Sequence, residues 1–441
     1  MDFSGPALTD ISSGAETASR FGTSAAPPVR HADVAIIGGG LAGSILALVL
    51  GRQGVSAAVI DPQGVYPDDF RCEKLTSGQL ALLEELGVSD GFLPVAQPHA
   101  AASPFADRGF RYDHLVNAMR ALWPDQVQFI QDRAKAVISG DEAQRVELTG
   151  GGHVGARLVV LATGPSGKLR TSLGVEREVL RERHSVCAGF SIAPQPGSSF
   201  SFPHLLHCGE RAGDGVGFVS IFPWADAMRV NLFTFHDPRS DVVRHLREDP
   251  LAALFGLMPG LRKTLAGAVV TSPIEIRSTD LFRTGPPQRP GLVLIGDARA
   301  SSCPATGLGV TRILTDIRQL AHVHLPSWLQ SPSMHAGKIA QFESDPVRLR
   351  LDAAALRQAE AGRSVALETS LVWRLRRRLG ALRRWARQAP ALFTVRYSTS
   401  RSLSRRIWSP MALSRSRSAK WIQLSDCKVS RTRLIGVAQK T

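Results

Sequence analysis

Cysteine is scarce in this 441-residue chain, and its five residues (Cys72, Cys187, Cys208, Cys303, Cys427) are scattered, with no CxxC spacing and no histidine at metal-ligand distance. That pattern argues against a disulfide framework or a structural zinc centre, leaves no metal ligands to assign, and points to a reducing cytoplasm. Long apolar runs are also missing. The most hydrophobic stretch, Val34 to Leu50, is interrupted by four glycines and bounded by Asp33 and Arg52, so it reads as a buried strand and helix rather than a membrane span. No Ser-His-Asp order, HExxH helix or P-loop is present, which excludes hydrolases and nucleotide triphosphatases built on those devices. Acid is scarce only at the end. From Leu371 to Thr441 there are 18 Lys and Arg against one acid, Asp426, so this segment carries +17 of a net +15 and the remainder is −2. The body is close to neutral, and no nucleic-acid partner is expected for it.

Two glycine turns stand out among what is present. Asp33 to Ile37 is a β-branched apolar run, followed by Gly38, Gly40 and Gly43, a segment of helical spacing from Ser44 to Gln53, and a second strand from Val55 to Ile60 ending in Asp61. Each glycine answers a different need, with a tight turn at Gly38, backbone approach to a pyrophosphate at Gly40, and helix-to-strand packing at Gly43. Asp61 lies 23 residues after Gly38, where an acid accepts hydrogen bonds from a ribose of the FAD or NAD type. No second GxGxxG follows a strand, so one dinucleotide unit is expected.

About 250 residues later, a short apolar run from Leu292 to Ile295 ends in Gly296-Asp297, passes Pro304, and presents Gly307-Leu308-Gly309 directly before a helical segment. This is a strand, an acid at its tip, and a glycine turn opening a helix whose free N–H groups point at something negative. The two turns together imply one large anionic cofactor gripped at both ends.

With these segments placed, the sequence resembles the FAD-dependent monooxygenases of the aromatic hydroxylase type, whose fold is that of p-hydroxybenzoate hydroxylase. Gly296, Asp297, Ala298, Pro304, Gly307, Gly309, Asp316 and Leu320 fall in register with a motif of that family, while Ala300 and Thr311 stand where it has His and Asn. The resemblance implies that Asp297 accepts a ribityl hydroxyl of FAD and that Gly307, Leu308 and Gly309 face the flavin pyrimidine end. Pro304 would shape the face where oxygen or substrate approaches. A third segment, Leu158 to Arg170, matches a family stretch tied to FAD and NADPH at Ala162, Gly164 and Arg170, with Thr163 and Gly167 departing from it. Arg71, in Asp68-Asp-Phe-Arg-Cys-Glu-Lys-Leu75, is the candidate for an arginine that contacts the cofactor; the other reading is a solvated charge cluster of Asp68, Asp69, Arg71, Glu73 and Lys74.

The resemblance implies an oxidoreductase that inserts one oxygen atom of O2 into an electron-rich small organic molecule through a flavin C4a-hydroperoxide, with NAD(P)H as a transient electron donor. Flavin-dependent halogenases carry a Trp-x-Trp-x-Ile-Pro segment that is missing here. The alternatives are a double-bond reductase of geranylgeranyl-reductase type and a nonenzymatic FAD-fold binding protein with a basic tail.

The expected fold class is α/β: a Rossmann-like FAD-binding domain from residues 31–175 and 285–325, interleaved with a mostly antiparallel substrate domain at 176–284. A helical C-terminal region at 326–390 follows. Residues 1–30, rich in Ser, Ala, Gly and Pro, read as a disordered leader, and 391–441 as a basic disordered tail. In the middle, Cys187–Ala193, Phe200–His207, Val216–Phe222 and Met228–Phe235 alternate as strands do, with 223–227 as a hairpin loop. Trp224, His204, His207 and His236 are candidate pocket residues there. Leu371, Leu375, Leu379, Leu382 and Ala386 form a stripe flanked by arginines. It reads either as a terminal helix packed on the body, the favoured view, or as a weak contact with an anionic membrane surface.

Overall fold

A computed structural model describes residues 31–96, 108–287, 289–372 and 375. The expected leader and the whole of the expected basic tail lie outside these residues. Five parallel strands form the frame, in the order Val127–Ile130, Ala57–Ile60, His31–Ile37, His153–Leu161 and Leu292–Leu294. Ile60 pairs with Ile130 and with Ile37, Ile37 with Leu161, and Leu161 with Leu294. Register therefore fixes which residues emerge together at the carboxyl edge: Asp61, Gly38, Ala162 and Ile295 each directly follow a strand end. The last strand comes from far along the chain, and its three residues are all buried.

These strands read as near-continuous apolar runs because both faces are covered. Helix Leu41–Arg52 has every residue but its last buried, packed between the sheet and helices Tyr112–Ala121 and Gly309–Arg318. On the edge that takes Leu292–Leu294, the first half of strand His153–Leu161 pairs with an antiparallel hairpin, Ala134–Ile138 and Gln144–Leu148, so one edge of the strand serves two neighbours while the other holds His31–Ile37.

The second sheet is antiparallel, in the order Leu205–Cys208, Val216–Trp224, Ala227–Thr234 and Arg177–Ala193, with Val269–Val270 and Glu275–Thr284 sharing the last strand. Arg177–Ala193 starts ten residues before the apolar alternation does, because its polar half is held by Glu275–Thr284 rather than by burial. The hairpin turn is only Ala225-Asp226; Pro223 and Trp224 are in the strand, and Ala225 takes φ +49°. Phe200 to Pro203 is not strand. Ala188, Phe190, Val219, Ile221, Val230 and Leu232 pack on a helical layer that includes Leu246, Leu254 and Met258. The opposite face is turned toward the cofactor frame: Asn231 Nδ2 donates to the carbonyl of Cys72 at 2.6 Å and Arg229 Nη2 to that of Phe70 at 2.7 Å.

The C-terminal part is helical and includes the long helix Pro346–Leu367, with Leu371, Val372 and Leu375 beyond it also helical. Asp345 caps that helix by accepting from Val347 and Arg348, with Pro346 at its first position. Of the expected leucine stripe, Leu371 (71% exposed) and Leu375 (57% exposed) do not pack on the body; Leu379, Leu382 and Ala386 lie outside the described residues. Cys72, Cys187 and Cys303 are free thiols.

Candidate functional site

The carboxyl edge of the parallel strands opens into a groove of about 460 Å³ lined by Gly38, Gly40, Asp61, Arg71, Gly164 and Asp297, among others. Ligands of open parallel sheets collect at this edge. A larger, more open hollow of about 610 Å³ lies at the other end of the strands, around Asp33, Ser56 and Arg157, away from both glycine turns.

At the first turn the three glycines have different surroundings. Gly38 takes φ +104°, and a Cβ there would meet the Ala162 carbonyl at 2.6 Å. At Gly43 a Cβ would lie 1.9 Å from the Gly38 carbonyl oxygen, so helix and turn touch backbone to backbone. At Gly40 a Cβ would meet nothing within 4 Å. The space that an unhindered backbone could offer a pyrophosphate is thus present in the folded chain. Asp61 Oδ2 accepts the Gly39 N–H at 2.7 Å and Oδ1 accepts that of Gln63 at 2.9 Å, which fixes the carboxylate at the groove wall with lone pairs to spare.

Arg120, which sequence reasoning did not select, holds this turn from behind. It is 3% exposed, donates to the Gly39 carbonyl through Nε (3.0 Å) and Nη2 (2.5 Å), and reaches the Gln63 and Gly64 carbonyls through Nη1 at 2.7 and 2.9 Å. Its partners lie 56 to 81 residues earlier, so no local pattern could have revealed it.

The Arg71 cluster is not a solvated patch. Asp69 is buried and forms a bidentate pair with Arg71, whose guanidinium lies 3.5 Å from the centroid of the Tyr112 ring and also donates to the Tyr66 hydroxyl at 3.2 Å. Burial would raise the Asp69 carboxyl, but its hydrogen bonds from Arg71 overcome this and hold it below the usual range. Only Asp68, 98% exposed at its side chain, is a surface charge.

At the second turn Gly296 takes φ +59° and donates its N–H to Asp316 Oδ2 at 2.9 Å. Arg312, in helix Gly309–Arg318, donates to the carbonyls of Ala300 and Ser301 and to the Ser302 hydroxyl, which ties down the loop beyond. Asp297 itself has no hydrogen bond from any described residue, lines the groove, and is held above the usual carboxylate range by burial, against the pull of Arg312 and Arg71. An acceptor without a protein donor, lining the same groove as Gly40 with its empty space, suits the hydroxyls and phosphates of a dinucleotide. Gly307, Leu308, Gly309 and Pro304 are outside the lining of this groove; the Gly307 carbonyl is held by Gln79 Nε2 at 3.0 Å.

On the second sheet, Trp224 sits with His114, ring centroids 6.0 Å apart. His207 pairs across the sheet with Val219, a member of the layer packed on helices, and hydrogen-bonds Glu210 at 2.9 Å, so it faces away from the cofactor frame. His236 bonds Thr234 Oγ1 at 2.9 Å. His204 precedes strand Leu205–Cys208. The face turned to the frame carries Phe222 and the Phe218–Phe233 pair, whose centroids are 4.7 Å apart.

Residues 31–145 match the sequence model of a family described as an FAD binding domain. Among solved structures, p-nitrophenol 4-monooxygenase PnpA from Pseudomonas putida DLL-E4 superposes with a TM-score of 0.61 at 19% identity, covering 79% of this chain and 92% of that one. The chain has the fold of the FAD-dependent monooxygenases of the p-hydroxybenzoate hydroxylase type. A single-residue variant of HpxO from Klebsiella pneumoniae, solved in complex with FAD, shares this fold with a TM-score of 0.59 at 18% identity, covering 78% of this chain and 92% of that one. Among curated relatives, squalene monooxygenase of Rattus norvegicus is 25% identical over 324 residues, 66% of this chain and 54% of that protein. The chain therefore spans about half the length of that relative. The 3-demethoxyubiquinol 3-hydroxylase of Escherichia coli (strain K12) is 26% identical over 325 residues, 66% of this chain and 79% of that protein. Among the described residues no helix is long and apolar enough to cross a membrane.

Proposed function

We propose that the chain is an FAD-dependent monooxygenase that places one oxygen atom of O2 into a small, electron-rich and largely apolar organic substrate. The observation that carries this reading is the single groove lined by both Asp61 and Asp297, one from each glycine turn. Similarity to a squalene monooxygenase and a demethoxyubiquinol hydroxylase supports oxygenation over double-bond reduction.

In this reading Gly38, Gly40 and Gly43 hold and admit the pyrophosphate, Asp61 receives the ribose, and Asp297 receives a ribityl hydroxyl. Arg71 stands beside the same groove as a fixed positive charge, Gly164 shapes its opposite wall, and Gly296 sets the angle of Asp297. FAD, when bound, supplies the redox chemistry that activates oxygen. The protein supplies charge, position and dryness. Helix Gly309–Arg318 begins at the Pro304 to Gly309 turn and directs its positive end toward negative charge arriving there. Phe218, Phe222 and Phe233 give the second sheet an apolar wall that excludes water and suits an apolar substrate. Trp224 is the preferred substrate contact, with His204 directly before the strand that pairs with its own; His207 is committed to Glu210.

Reduced nicotinamide as a transient electron donor and a cytoplasmic location belong to the same proposal, as does the division into a discontinuous cofactor domain and an inserted substrate domain. Exposed Leu371, Val372 and Leu375, followed in sequence by Arg376 to Arg378, favour a weak contact with an anionic membrane surface over packing on the body. Purified protein should be yellow, bleach with dithionite and recover in air, and show substrate-dependent oxygen uptake exceeding peroxide release. Colourless protein that does not take up FAD overturns the reading.

A further inference from the structure

Glu73 belongs to the Asp68 to Lys74 cluster, the proposed function gives it no work, and its surroundings are unusual. It lies on strand Cys72–Leu75, paired with Phe110 of strand Arg108–Arg111. Alternation along a strand sends residues 71, 73 and 75 to one side and 72 and 74 to the other. Arg71 lines the cofactor groove and Leu75 belongs to the core of the cofactor frame, whereas Lys74 Nζ turns to within 5.7 Å of the Phe222 ring centroid on the second sheet. Glu73 is therefore on the same side as Arg71 and Leu75, behind the groove lining that Arg71, Tyr112 and Asp297 form. The same segment continues to Gln79, which binds the Gly307 carbonyl, so it runs from the groove to the second glycine turn.

No described residue hydrogen-bonds the Glu73 carboxylate. The groups that act on it come from every element around it. Arg71 and Asp69 lie on its own segment, Asp297 on the Gly296 turn, Tyr112 on helix Tyr112–Ala121, and Cys187 on the second sheet. Burial raises its carboxyl, Arg71 opposes, and the negative charges of Asp297 and Asp69 raise it further. A carboxylate at this junction answers to any new negative charge placed in the groove.

We infer that Glu73 takes up a proton when the flavin bound in this groove is reduced. The inference rests on the FAD reading above. A two-electron reductant gives oxidised flavin two electrons and solvent gives it one proton, forming the anionic reduced state. The added negative charge raises the affinity of Glu73 for a second solvent proton, which converts its carboxylate to a carboxylic acid. Two protons thus accompany two electrons in the pH window between the acidity of Glu73 in the oxidised and in the reduced holoenzyme. Outside that window only one accompanies them wherever the reduced flavin stays anionic. The arrangement removes a negative charge from beside the flavin at the moment another arrives.

The test is the midpoint potential of the flavin in holoenzyme, measured against pH by dithionite titration with a reference dye. Wild type is expected to show a segment with the two-proton slope, and Glu73→Gln a one-proton slope over the same range. Above the window, Glu73→Gln is also expected to reduce more easily than wild type, because a negative neighbour is gone. A one-proton slope at every pH in wild type, or the same two-proton segment in Glu73→Gln, overturns the inference. If Glu73→Gln does not fold, Glu73→Asp replaces it and must shift the window. Wild-type protein that takes up no FAD sinks the functional reading instead, and so separates the two failures.

Discussion

Asp316 and Arg348 meet in the core at 2.8 Å, and the same carboxylate that pairs with Arg348 Nε through Oδ1 accepts the Gly296 N–H through Oδ2. Arg348 is 1% exposed, donates to the Phe342 and Leu294 carbonyls, and lies 3.5 Å from the Phe342 ring centroid. One buried ion pair therefore ties the final helix to the strand and turn that present Asp297. Burial pushes the Asp316 carboxyl up, but Arg348 and Arg299 overcome it and hold it ionised.

Replacing Asp316 by Asn leaves buried Arg348 with only Glu343, at 3.7 Å, as counter-charge, which costs up to about 3–5 kcal/mol. The expected outcome is a lower denaturation midpoint with unchanged m-value, together with weaker FAD retention. The double variant Asp316→Asn, Arg348→Met should recover much of the lost stability. If Asp316→Asn unfolds at the wild-type midpoint, the ion pair does not carry this part of the fold.

The first turn yields a contrast between two glycines. Gly43→Ala forces a Cβ onto the Gly38 carbonyl, so it should destabilise by about 1–3 kcal/mol or more. Gly40→Ala meets nothing in the folded chain and takes φ −70° without strain, so stability should stay within about 1 kcal/mol. Its FAD affinity should nonetheless fall at least about tenfold, equivalent to about 1.4 kcal/mol. Thermal melts and flavin fluorescence titrations of the two variants separate the roles; equal FAD affinity for Gly40→Ala and wild type would contradict the pyrophosphate assignment.

Asp297 titrates above the ordinary carboxylate range when folded, so the folded state binds the proton more tightly than the unfolded one. Its charge then costs stability as pH rises through about 4 and beyond, and the cost is full above the folded pKa. Asp297→Asn should be more stable than wild type in the FAD-free form at neutral pH, with the difference shrinking toward about pH 3. FAD binding should weaken in the same variant. Equal pH profiles for the two proteins would show that the carboxylate is not under this strain.

His184 gives the opposite sign. It is fully buried, neither ring nitrogen has a partner, and burial lowers it to about 4 from an ordinary 6.5. The folded state must keep it neutral, so stability is lost as pH falls from about 6.5 to about 4, by about 3 kcal/mol in all. His184→Leu should flatten that acid limb in urea denaturation at a series of pH values.

The glycine turns were legible because their demands are local: a φ that only Gly38 tolerates, a contact that only Gly43 permits. Parallel-strand register then brings Asp61 and Asp297 to one edge, a step that a βαβ pattern implies but cannot locate. Arg120 and Glu73 were not legible. Arg120 binds carbonyls supplied by a distant loop, and Glu73 passes for surface charge until the strand is seen to turn it to the side of Arg71 and Leu75. The polar start of strand Arg177–Ala193 was hidden for a similar reason, since its partner Glu275–Thr284 lies about 100 residues away in sequence. His207 shows the limit of alternation, which names a face but not which of two layers it meets.

Strand Leu292–Leu294 docks on Val159–Leu161 only after the more than one hundred residues between the two strands have been synthesised. A ribosome-bound chain that ends before it has the Asp61 wall but no Asp297 wall, so the coenzyme can be captured fully only late in translation, after the intervening antiparallel unit has emerged.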